Sequence, residues 1–138
     1  MSSKRTDIKA VYKTRMAAIT GIQKVYVGRR LDIPQQYLPA ICIYCREEGK
    51  ELDTIGPAKY ARGLAIVTEI HVKADSVELA ELELDALCDL REAALLTDET
   101  LGGKVEAITF QSDEYALSES GNIPTAVATC ADIVHYTH

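Results

Sequence analysis

The residues best spaced for chemistry in this chain are Glu69 and His71, two apart in the run TEIHVK. On a strand, side chains two apart share a face, so the carboxylate can orient the imidazole for acid–base work. His135, in a strand-like run near the C-terminus, would complete a small polar site if adjacent strands brought all three into one pocket. The competing reading is an ordinary half-exposed strand end. Cys42 and Cys45 form a CIYC pair of the kind used for metal or redox chemistry. However, ICIYC reads as a strand, where a separation of three sends side chains to opposite faces. His135 and His138 diverge for the same reason. Cys88 falls in a helical run and Cys130 in the last strand, which suits thiols serving as small core residues. LGGK at 101–104 lacks the remaining glycines and the Ser/Thr of a phosphate loop, and it opens a strand rather than a helix. No GxSxG, HExxH or calcium-loop pattern occurs. These residues point away from an enzyme, and neither a cofactor nor a metal is expected.

The elements that would carry such residues follow from periodicity and breakers. A helix is expected from Ser3 or Thr6 to Thr20, with Ile8, Val11, Tyr12 and Ile19 on one stripe, Met16 at its margin and Gly21 as its stop. Strands are expected at 24–27, 40–48 and 58–73, with a loop punctuated by Gly28, Pro34 and Pro39 after the first. In 58–73, Leu64, Ile66, Ile70 and Val72 share one face, while the other grades from Ala65 and Val67 to Glu69, His71 and Lys73 as the strand emerges into solvent. Ser76 or Asp75 should cap a long helix ending near Leu96. Strands at 104–110, 114–118 and 125–136 complete the order α-β-β-β-α-β-β-β. The expected fold is α+β in two layers, a single domain over 1–138 with a largely antiparallel sheet and two main helices packed on it.

The second helix is the most unusual element. Glu78, Glu81, Asp85, Asp89 and Glu92 recur at steps of three and four, while apolar residues fill most of the remaining circumference. The carboxylates are strung along the helix and do not converge as a metal cage must. The apolar arc is wider than one sheet needs. Leu79, Leu82, Ala86, Leu90 and Ala93 form a flank distinct from Ala80, Leu84, Leu87, Ala94 and Leu95, so one set can face the sheet and the other a neighbour.

At 138 residues and 47% hydrophobic, the chain can build a single core without staples. No apolar run approaches the roughly 20 residues of a membrane span, and no signal-peptide pattern follows the start, so a soluble, cytoplasmic protein is expected. The net charge of −6 is unevenly spread. Residues 1–30 hold eight Lys/Arg against Asp7 alone, whereas the rest of the chain holds seven basic and twenty acidic side chains. This polarity lets one copy's basic edge meet the next copy's acidic helix, or steers a nucleic acid to the basic end. Tyr12, Tyr26, Arg29 and Arg30 supply charge and rings for a DNA-associated adaptor, but no helix-turn-helix or stacking-sheet motif accompanies them.

The strings LPAICIYCREE, YARGLAIVTEIHVKA, ELDALCDLREAALLTDETLGGKVEAI and IPTAVATCADIVHY, in this order, resemble the tail terminator proteins of long-tailed bacteriophages, the minor tail protein U family. Related neck and tail-completion proteins share similar patterns. The resemblance implies a non-enzymatic subunit that closes with copies of itself into a hexameric ring on the last layer of the tail tube protein. Such a ring stops polymerisation and offers a surface to a head-completion or connector protein. DNA would be met only in passing through the ring, and no membrane is involved. Assembly would take place in the host cytoplasm, and the mature location would be the virion tail. No catalytic set is carried over. With the charge polarity, the expected subunit or tube interface draws on Arg15, Arg29 and Arg30 on one side and on Glu78, Glu81, Leu82, Asp85, Ala86, Asp89 and Leu90 on the other. The rival from another class is a small ligand-binding or enzymatic α+β domain using Glu69, His71 and His135.

Overall fold

The computed structural model describes residues 4–28, 33–52, 60–97, 101, 103, 105–120 and 123–137. The elements are α1 (Lys4–Ala17), β1 (Lys24–Val27), a short 3-10 turn (Gln35–Tyr37), β2 (Ala40–Leu52), β3 (Tyr60–Lys73), α2 (Val77–Leu96), β4 (Ala107–Ser120) and β5 (Ile123–Thr137). The five strands form one sheet in the order β1-β2-β3-β5-β4. All pairs are antiparallel except β1 with β2. The expected α+β, largely antiparallel architecture is what the chain adopts, and both helices contact the sheet.

Each helix starts and stops for local reasons. α1 carries Asp7 in its first turn and Arg15 in its last, matching the helix dipole, and Gly21 takes the positive φ of 97° that a side chain would resist. Ser76 caps α2 by accepting from the Leu79 N–H at 3.2 Å, and Thr97 ends it. α2 has no basic residue of its own in the last turn. Arg15 of α1 supplies one, donating to the Ala94 carbonyl at 3.2 Å, among the last carbonyls of α2 that lack a helical donor.

The core lies between the helices and one face of the sheet. Ile8, Tyr12 and Met16 of α1 and Ala80, Leu84, Leu87 and Leu95 of α2 meet Ile41, Ile43, Leu64, Ile66, Ile70, Val72 and the even-numbered residues of β5 from Ala126 to Tyr136. Met16, expected at the margin of its stripe, is fully buried, because α1 packs against α2 as well as against the sheet. The expected strands 104–110 and 114–118 are two arms of β4, joined through a bulge between Phe110 and Ser112 that lets one strand continue along β5. A second bulge, between Cys45 and Glu47, keeps β2 paired past its expected end at 48 out to Leu52.

Candidate functional site

On α2 the two apolar flanks separate as their spacing requires. Ala80, Leu84, Leu87 and Leu95 are buried and Ala94 is half-buried, whereas Leu79 (51%), Leu82 (58%) and Leu90 (45%) are exposed together with Ala86 and Ala93. Glu78, Glu81, Asp85 and Asp89 are exposed beside them, and Glu92 is half-buried. Near the C-terminal end this apolar surface opens into a groove of about 280 Å³, where Leu90 and Ala93 face Ala18, Ile19 and Thr20 at the end of α1. Large apolar side chains in a row at a polar margin are what an interaction surface requires and a solvated helix does not.

Two residues of the expected interface also have partners inside the subunit. Arg15 holds the Ala94 carbonyl, as described. Asp85 accepts from the Tyr115 hydroxyl of β4 at 2.7 Å, and the same hydroxyl lies 3.7 Å from Cys88 Sγ. Desolvation and these hydrogen bonds push the Tyr115 hydroxyl above its ordinary pKa. Arg29 and Arg30 lie outside the described residues, as does His138.

The candidate acid–base pair does form. His71 Nε2 is 3.2 Å from Glu69 Oε1, and Tyr44 donates to Glu69 Oε2 at 2.7 Å. This face grades toward solvent as expected, from buried Ala65 and Val67 to half-buried His71 and Lys73, but Glu69 is itself buried. The neighbours on this helix-free face are small, among them Ala40 and Cys42, and Tyr44 leans over the carboxylate. The third member of the rival site is elsewhere. Glu69 pairs with Thr129 and His135 pairs with Gly63, so the two lie six residues apart along the sheet, roughly 20 Å at the rise of an extended strand. His135 instead contacts Thr109 at 3.0 Å. A pocket made by Glu69, His71 and His135 together is therefore excluded by register.

None of the four cysteines is in a disulfide. Cys42 and Cys45 occupy opposite faces as their odd spacing demands: Cys42 is the register partner of Glu69, while Cys45 packs on the core. Cys88 and Cys130 touch in the core at 3.9 Å. That contact lowers the Cys88 thiol pKa against the effect of burial, and contact and burial together raise that of Cys130. Two groups of side chains among the described residues bring ligand atoms within 4.8 Å of one another: Cys42, Glu69 and His71, and Cys88, Asp113 and Cys130.

A buried ionic cluster, absent from the expectations drawn from periodicity, ties the layers together. Arg91 of α2 contacts Asp132 Oδ2 of β5, and Tyr12 of α1 donates to the same oxygen at 3.1 Å. All three side chains are buried, and the guanidinium also lies 5.6 Å from the Phe110 ring centre. Burial pushes the Asp132 carboxyl up, with Arg91 working against it, while Asp132 keeps Arg91 charged despite burial. Burial, with the nearby carboxylate, raises the Tyr12 hydroxyl as well. The signal was present: Arg91 falls on the stripe Ala80, Leu84, Leu87, Leu95, and Asp132 shares the inward parity of Cys130 and Val134.

No protein-family model and no curated protein matches the chain. Among solved structures, a chain described as "Virion of native gene transfer agent (GTA) particle" superposes with a TM-score of 0.44 at 8% identity, covering 98% of this chain and 99% of that one. No described helix is long and apolar enough to cross a membrane.

Proposed function

We propose that this chain is a structural, non-catalytic virion subunit of a phage-type tail. Copies close into a hexameric ring that caps the tail tube, ends its polymerisation and presents a surface to a head-completion protein, with DNA met only in passing. Assembly takes place in the host cytoplasm, and the ring then belongs to the mature tail.

The observation that carries this reading is the exposed flank Leu79, Leu82, Ala86, Leu90 and Ala93, set beside a row of carboxylates on α2. The strings shared in pattern with the tail terminator proteins support it independently. A ring built from head-to-tail contacts needs two unlike, complementary surfaces on each subunit. The acidic, apolar face of α2 is one. The basic end, with Arg5 and Lys13 exposed on α1 and Lys24 exposed on β1, is the other. Apolar area at the centre of such a contact supplies affinity, and the opposite charges set its register and its salt dependence.

Light scattering and electron microscopy of the purified chain, alone and with tail tubes, test the reading. Rings, free or seated on tube ends, are expected. A monomer that leaves tube ends uncapped at every protein concentration would remove it.

A further inference from the structure

We propose that Cys42, Glu69 and His71 form a three-ligand site for a borderline-soft divalent cation, zinc(II), on the sheet face opposite the helices. Cys42 and Glu69 are register partners on β2 and β3, and His71 follows two residues along β3, so all three side chains leave the same face of the sheet. Their donor atoms, one sulfur, one carboxylate oxygen and one imidazole nitrogen, lie within 4.8 Å of one another. The oxygen and nitrogen are already at 3.2 Å. Tetrahedral zinc with O and N ligands at about 2.0–2.1 Å holds that pair roughly 3.3–3.4 Å apart, so the pair needs almost no movement. The thiolate, bound at about 2.3 Å, would sit roughly 3.6 Å from each, a contraction of at most about 1.2 Å from the present spacing.

The surroundings fit a cation of this class. Thiolate and carboxylate together neutralise a doubly charged ion, which suits a place where Cys42 and Glu69 are buried. Tyr44 holds the second carboxylate oxygen at 2.7 Å and leaves Oε1 aimed at the site, the arrangement by which outer-shell partners orient ligands. His71 is the half-buried member and marks the side from which an ion and a fourth, water ligand enter. A sulfur donor selects against magnesium and calcium, which take oxygen ligands. Binding needs the Cys42 thiolate and an Nε2 free of its proton, so it strengthens with rising pH. The bound ion clips β2 to β3 and leaves the α2 surface untouched.

Metal-stripped full-length protein titrated with Zn²⁺ should bind one ion per chain and gain Tm as free zinc rises, with no response to Mg²⁺ or Ca²⁺. Co²⁺ should produce a thiolate-to-metal charge-transfer band and visible bands of tetrahedral strength. Cys42→Ser should abolish the charge-transfer band, His71→Ala should weaken binding at least tenfold, and Tyr44→Phe should weaken it about 10–100-fold. Cys88→Ser should change none of these. His71 is partly exposed, so its variant keeps the test alive if Cys42→Ser fails to fold. Absence of binding at micromolar zinc, a cobalt complex without a thiolate band, or a band that survives Cys42→Ser and disappears in Cys88→Ser would overturn the proposal.

Discussion

Asp132→Ala removes the only carboxylate among the described residues in contact with Arg91, and its cost can be worked from what is left behind. The guanidinium is wholly buried, its Nε and Nη1 already lack hydrogen-bond partners among the described residues, and the Tyr12 hydroxyl loses its acceptor. Breaking one side of a buried ion pair costs about 3–5 kcal/mol, because a charge is stranded in a place with little solvation. With an unfolding entropy of about 2.1 cal/mol/K per residue, 138 residues give roughly 290 cal/mol/K, so Tm should fall by roughly 10–17 °C. The double variant Arg91→Met/Asp132→Leu fills the space with apolar atoms and leaves no charge. It should recover part of the loss, to within about 1–3 kcal/mol of the parent, since well-packed apolar replacements of buried pairs are often neutral or stabilising while the buried Tyr12 hydroxyl still lacks its acceptor. Urea unfolding followed by circular dichroism measures both, provided the m-value is unchanged. If Asp132→Ala costs less than about 1 kcal/mol, or if the double variant is worse than the single, Arg91 is not held by this pair and the account of the interlayer tie fails.

Three further outcomes follow from the same surfaces. Leu82→Asp places a charge on a residue that is 58% exposed in the subunit, so the monomer should keep its stability to within about 0.5 kcal/mol while self-association weakens at least tenfold in sedimentation; loss of folding would show Leu82 to be core. Replacing Arg29 and Arg30 together with Glu should weaken ring formation at low salt and reverse its salt response, added salt now relieving the repulsion; unchanged assembly across a salt series takes both out of the interface. Ser76→Ala removes the side-chain acceptor for the Leu79 N–H and should cost about 1 kcal/mol in urea unfolding, with helix content retained.

Much of this architecture is legible in the residues because it depends on local periodicity. The span of α2 from the residue after Ser76 to Leu96, the short strand Lys24–Val27 and the split of α2 into a buried and an exposed flank follow from spacing and capping alone. So does the divergence of Cys42 and Cys45, since alternation along a strand is independent of what lies beside it. Pairing is not local, and the differences arise there. That Cys42 sits opposite Glu69 while His135 lies far along β5 depends on register between segments distant in the chain, which no single segment encodes. The bulge near Gln111 and the burial of Glu69 are likewise properties of strands already assembled. Arg91 and Asp132 show the boundary most clearly. Their inward positions could be read from the α2 stripe and the β5 alternation, but a charge on an apolar stripe becomes tolerable only when the fold brings its opposite from 41 residues away, and that meeting exists only in the tertiary structure.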